Sequence, residues 1–216
     1  MNVIDLGLIN YQDALEIQLR THAEVLAGGK PTLFLLEHPP VITLGRQGGI
    51  DNLHVPEAFL RERGVELVAT TRGGNITCHF PGQLVGYPIL PVDKRPGGLK
   101  QLFFDIEESV IRTAMRFGVT AQRRQGHPGV WTGRGKLCSI GIAVKKWTTY
   151  HGLALNVSSD TTLFDLITPC GIQGARPTSL SSEAGRDIPM HEVKHVLREE
   201  FQAVAHPAMV AGQTSR

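Results

Sequence analysis

The chain has 216 residues, 41% hydrophobic and 19% charged, with a formal net charge of +2 at pH 7. That is enough apolar material for one large core or two small ones. Its near-neutral balance, without any Lys/Arg run, excludes nucleic acid as the expected partner. No stretch approaches the ~20 apolar residues of a membrane span. Met1 to Asp5 begins no basic-then-apolar leader, so a cytoplasmic protein is expected.

In chain order, Tyr11, Leu15, Leu19, His22 and Leu26 recur at helical spacing until Gly28-Gly29 stops them. Thr32–Leu36 and Val41–Leu44 read as strands joined by a turn at Pro39-Pro40, and Val65–Ala69 as a third. A glycine-rich stretch runs from Arg72 to Tyr87. Leu99 to Phe117 is an amphipathic helix ended by Gly118, and Val119–Arg123 reads as a strand. Gly129 to Val157 alternates apolar runs with glycine turns, the pattern of an antiparallel meander. One helical turn is expected at Phe164–Ile167, a helix at His191–Ala205, and a frayed tail over 211–216. Strands and helices do not alternate strictly. The expected class is therefore α+β, a single domain over 1–210 with a mixed, mostly antiparallel sheet flanked by helices.

Four stretches combine residue types that could carry chemistry. In Arg72-Gly73-Gly74-Asn75-Ile76-Thr77-Cys78-His79 and on to Gln83, paired glycines permit close approach to a ligand, with Arg72, Thr77, His79 and Gln83 as polar partners. A tight turn would use the same glycines. The spacing fits neither GxxxxGK[ST] nor GxGxxG. Lys136 opens Lys-Leu-Cys138-Ser139-Ile140-Gly141, where small residues would let a substrate chain lie on a strand; a solvated lysine is the ordinary alternative. His151-Gly152-Leu153-Ala154 could line an acyl slot or simply be core. In Pro169-Cys170-Gly171 a rigid residue and a free one flank a thiol, which otherwise reads as a small buried hydrophobe. Cys78, Cys138 and Cys170 form no CxxC pair, and no HExxH spacing suggests a metal.

Taken together, RGG-x-x-T-x-H-x-PGQLV-x-YP, GK-x-x-SIG, HGLALNV and PCG, in this order from Arg72 to Gly171, resemble the octanoyltransferases of lipoate synthesis. Glu37-His38-Pro39-Pro40 through Gly45 fits as well, whereas the chain after Gly174 adds little. The resemblance implies the catalytic-domain fold of lipoate and biotin protein ligases, and no cofactor. It implies Cys170 as the acyl-thioester nucleophile and Lys136 as the lysine that lowers its pKa. Substrate contacts are implied for Arg72, Gly73, Gly74, Asn75, Ile76, Thr77, Cys78 and His79, for Ser139, Ile140 and Gly141, and for Gly152, Leu153 and Ala154. The donor implied is octanoyl-acyl carrier protein. The acceptors are lipoyl domains of 2-oxoacid dehydrogenase E2 subunits and the glycine cleavage H protein.

Two positions depart from the pattern: Cys78 stands where the family often has an aromatic residue, and Cys138 where it usually has a small one. A bridge from Cys138 to Cys170 would not persist in a reducing compartment. Acyl carriers are acidic, so Arg46, Arg72, Arg123, Arg124, Lys145 and Lys146 are candidates for a docking face. Competing readings are an ATP-dependent lipoate–protein ligase, which needs no nucleophilic cysteine, a thioesterase, and a non-catalytic acyl- or carrier-binding module.

Overall fold

The computed structural model describes residues 1–93, 95–169 and 176–211, with the last six by backbone alone. Cys170 and all but Ala211 of the tail expected over 211–216 lie outside the described residues, and Ala211 ends a helix. The strands are β1 (Asn2–Leu8), β2 (Thr32–Glu37), β3 (Val41–Leu44), β4 (Glu66–Ala69), β5 (Ile76–His79), β6 (Gln83–Ile89), β7 (Gln122–Arg124), β8 (His127–Trp131), β9 (Lys136–Lys145) and β10 (Thr148–Asn156). The helices are α1 (Tyr11–Leu26), α2 (Glu57–Glu62), α3 (Gly98–Arg116), α4 (Leu180–Ala184) and α5 (Met190–Ala211). No described helix is long and apolar enough to cross a membrane.

Seven strands form one sheet in the order β1-β2-β6-β10-β9-β8-β7, parallel only at β1–β2. A strand's side chains alternate between faces, and β2 shows it. Leu33 and Leu35 pack with α3 and α5, whereas Phe34 and Leu36 pack with Ala14 and Val25 of α1. The buried face of α3, Leu102, Ile106, Val110 and Ala114, meets Val193, Leu197 and Phe201 of α5. Each of these larger side chains contributes about 1.5–3 kcal/mol by leaving water. Gly118, at φ +79°, ends α3 in a left-handed conformation that a side chain would resist.

The expected strands at 32–36 and 41–44 form, but they do not pair with each other. The chain builds a second, three-stranded sheet, β4-β3-β5, with its own core of Ile42, Leu60, Ile76, Cys78, Phe164 and Ile167. The Pro39-Pro40 turn thus passes the chain between sheets, and the turn after His79 passes it back from β5 to β6. The two sheets touch where the Gly73 N–H donates to the Ile142 carbonyl at 3.0 Å. A Cβ on Gly141 would lie 3.0 Å from the Gly73 oxygen, so the crossing depends on missing side chains. β1, β5, β6, α2 and α4 were not expected from the sequence.

Candidate functional site

An open cleft with about 470 Å³ of empty space lies where the second sheet crosses β9 and β10 beside the start of α1. Of the residues implied by resemblance, Arg72, Gly73, Gly74, Asn75, Thr77, His79, Ser139, Ile140, Gly141, Gly152, Leu153 and Ala154 line it. Ile76 and Cys78 do not. Alternation along β5 turns Thr77 and His79 to the cleft and sends Ile76 and Cys78 into the core of the second sheet.

Arg72 is buried and bound. Its Nε and Nη2 donate to the Thr43 hydroxyl, and Nη2 also donates to the Thr43 carbonyl at 2.6 Å. It therefore fastens the Gly73-Gly74 turn to β3 and is no part of an exposed docking face. Its charge is felt by the imidazoles nearby. His79 is held well below the usual histidine range, by burial first and then by His38, Arg72 and His151. The Gln83 amide donates to the Cys78 carbonyl and the Asn156 side-chain oxygen, so its own oxygen faces His79 Nδ1 at 2.8 Å. That fixes the proton on Nδ1 and leaves the Nε2 lone pair unprotonated.

Three cleft-lining residues stood outside the implied contact set: Tyr11, and Tyr87 and His151, which fall inside the motifs. Tyr11 reads only as the first residue of an amphipathic helix, and His151 as a structural histidine. The fold stacks them: the Tyr11 and His151 rings lie 6.4 Å apart and nearly parallel, and Tyr11 reaches the Thr70 hydroxyl, which sits 3.3 Å from His151 Nε2. His151 has φ +58°, an uncommon strand conformation, and Gln18 accepts its backbone N–H. Thr77 differs from all of these. Its hydroxyl is buried in the cleft wall and has no hydrogen-bond partner among the described residues, a cost normally removed by a ligand or water.

Lys136 lies at the start of β9, 7% exposed. Its orientation comes from an irregular register. Val130 pairs with Cys138, yet the next residue, Trp131, pairs with Lys136, so one step on β8 matches two on β9. This bulge puts Leu137 and Cys138 together in the α3/α5 core and turns Lys136 to the opposite face, with Trp131. Neither Lys136 nor Trp131 is among the residues that line the cleft. Lys136 Nζ stands 5.3 Å from the Trp131 ring centre. The main chain of Lys136 also accepts from Thr178 N and donates to the Arg176 carbonyl, which ties down the chain just beyond residues 170–175. On the other side of those residues, Thr168 N donates to the Asn52 carbonyl. Cys138 is buried, and burial pushes its thiol up to about 12, so it is an inert thiol. Among the described residues no cluster of His, Cys, Asp or Glu could hold a metal ion.

The lipoyl protein ligase A/B catalytic domain model matches residues 10–202. An octanoyltransferase of Maridesulfovibrio salexigens is 60% identical over 98% of this chain and 99% of its own length. One from Nitratidesulfovibrio vulgaris is 55% identical over the whole of both. Among solved structures, a lipoate-protein ligase A bound with ATP superposes with a TM-score of 0.80 at 18% identity, covering 95% of this chain and 85% of its own. A putative lipoate protein ligase from T. acidophilum with bound lipoic acid gives 0.73 at 17%, covering 95% and 86%. These structures show the fold, and near-full-length identity at this level shows the activity: the chain belongs to the lipoyl protein ligase A/B catalytic-domain family, and within it to the octanoyltransferases, acyltransferases of protein lipoylation.

Proposed function

We propose that the octanoyl group is relayed through a thioester on Cys170, with Lys136 moving the proton in both half-reactions. The donor is octanoyl-acyl carrier protein; the acceptors are lysines of lipoyl domains, in E2 subunits and in the H protein, within the cytoplasm. The observation that supports this reading is the bulge that turns Lys136 away from the α3/α5 core while its backbone holds Arg176 and Thr178.

A thiol with a reference pKa near 8.5 is only a few per cent thiolate at pH 7. The Lys136 ammonium favours the thiolate, which attacks the acyl thioester. The proton on Lys136 then passes to the departing pantetheine sulfur. The acceptor amine, reference pKa about 10.4, arrives protonated. Neutral Lys136 takes that proton, the amine attacks the Cys170 thioester, and its second N–H proton passes to water as the thiolate leaves beside a lysine that is charged again. An amide replaces a thioester, a downhill exchange that needs no ATP.

Given the acyl donor alone, the protein should gain one octanoyl mass on Cys170, and Cys170→Ala should show neither adduct nor transfer, a loss of at least about 10⁴-fold. Transfer at the normal rate by Cys170→Ala would end the relay scheme.

The unpartnered Thr77 hydroxyl is suited to donate to the acyl carbonyl. Thr77→Val removes a buried polar group that has no partner among the described residues, so the melting temperature should hold or rise, by up to about 1 kcal/mol of stability. Acyl-enzyme formation should slow about tenfold. An unchanged rate would deny Thr77 any contact with the reacting group. For docking of an acidic carrier, Arg123 is engaged by Glu107 and Glu108. Arg46, Arg124, Lys145 and Lys146 are the exposed cations left from the sequence-based set.

A further inference from the structure

We infer that Gly129, pinned by Glu107, is the positioning residue that sets where the Lys136 amine stands. The inference rests on the reading of Lys136 as the acid/base. Three observations meet at this point of β8. First, the site of a Cβ on Gly129 lies 2.9 Å from Lys136 Cε, so the lysine stem runs directly over a residue that offers no side chain. Second, the same Cβ would stand 2.3 Å from the Cys138 carbonyl oxygen on the neighbouring strand, and Gly129 has φ +118°, in the region that favours glycine. Alanine fits neither the space nor the backbone. Third, the β7–β8 ladder breaks at this point: Arg123 pairs with Val130 but Arg124 with His127. The Gly129 N–H donates instead to Glu107 Oε1 of α3 at 3.0 Å, and Arg123 grips the other carboxylate oxygen at 3.1 Å.

Glu107 therefore does for Gly129 what the interrupted β7 ladder does not: it holds a glycine of fixed, unusual conformation against the bulge. The bulge aims Lys136, and the glycine seat determines how far its amine reaches. A group that must exchange protons with a thiol and an amine in turn tolerates little displacement, since a misplacement of about 1 Å commonly costs 10²-fold.

The test uses the full chain, with octanoyl donor and lipoyl-domain acceptor for rates and iodoacetamide for the Cys170 thiol. Cys78 and Cys138 are both buried, and peptide mass assigns the alkylated site. Gly129→Ala should lower kcat about 100-fold with KM little changed. It should also move the pH midpoint of Cys170 alkylation upward, towards that of Lys136→Ala. Glu107→Ala should do the same more weakly, about tenfold in kcat. Glu107→Gln keeps the acceptor for Gly129 N–H and should restore most of it.

A folded Gly129→Ala protein with the normal kcat and alkylation profile would overturn the seat while leaving Lys136 its role. If Gly129→Ala does not fold, Glu107→Ala decides in its place, and an unchanged profile there overturns the inference. Should Lys136→Ala itself leave the profile unmoved, the acid/base reading fails and the seat falls with it.

Discussion

Replacing Lys136 by alanine should lower the rate of octanoyl transfer by about 10³- to 10⁴-fold, at the upper end of what one proton-transfer group supplies, because the residue acts twice. Both half-reactions lose their proton carrier, so the acyl adduct should form slowly and discharge slowly. The fold should survive. Lys136 is held through its main chain, to Arg176 and Thr178, and alanine keeps those bonds. Its stem packs on Trp131 and over Gly129, and losing that contact costs about 1 kcal/mol. Lys136→Arg separates the two roles. A guanidinium keeps a positive charge beside the thiol but does not give up its proton at any working pH. Acyl-enzyme formation should then persist in part, whereas discharge to the acceptor lysine should stall, and the Cys170 adduct should accumulate in the presence of acceptor. Single-turnover rates for each half-reaction read this directly. Near-normal rates of both halves in Lys136→Arg would mean that Lys136 serves only as a fixed charge.

The long helices α1 and α3 were legible because their apolar residues repeat at helical spacing and a glycine follows each of them. The hairpin of β9 and β10 was legible from short apolar runs between turns. Pairing was not. Thr32–Leu36 and Val41–Leu44 look alike as strands, and nothing local says that one joins the large sheet and the other the small one. The motif segments that line the cleft were found by resemblance, yet two members, Ile76 and Cys78, face away, since an unbroken run of residues on a strand must alternate between faces. The opposite failure occurs at Tyr11, which lay outside every motif, and at Tyr87 and His151, which lay inside motifs but were given no contact. They join the site through contacts that span long separations: His38 meets Tyr87 across 49 residues, and Thr70 meets His151 across 81. The bulge at Lys136 is hidden for the same reason, because it exists only as a mismatch between β8 and β9.

That buried imidazole cluster should make the protein markedly acid-sensitive between about pH 6.5 and pH 4. His38 is wholly buried, donates from Nδ1 to the Ile9 carbonyl and accepts at Nε2 from the Tyr87 hydroxyl. Burial lowers it to about 4, the Ile9 bond opposing. His151 is lowered to about 3, by burial first and Arg72 second. His79 is lowered as well, and Tyr11, Tyr87 and Arg72 complete the surroundings with no carboxylate among them.

In the unfolded chain these histidines titrate near 6.5. As pH falls below that value the unfolded state binds protons that the folded state refuses, so stability falls with pH. The contribution is fully present above about pH 6.5 and is lost progressively as pH falls towards about 3–4. By pH 4.5 His38 and His151 have each cost about 2–3 kcal/mol, and His79 adds in the same direction. Two such groups reach the lower end of the net stability of an ordinary domain, about 5–15 kcal/mol. Melting temperatures measured from pH 7.5 to 4.5 should therefore drop steeply over the last two units. His151→Gln removes one titrating group, so its curve should be shallower even if it starts lower. Arg72→Met should also flatten the curve, because the guanidinium is one of the charges that repel a protonated His79 or His151, although it leaves Thr43 without its donors at neutral pH. A melting temperature that stays level down to pH 5 would mean that these imidazoles reach water, and that the floor of the cleft is wet.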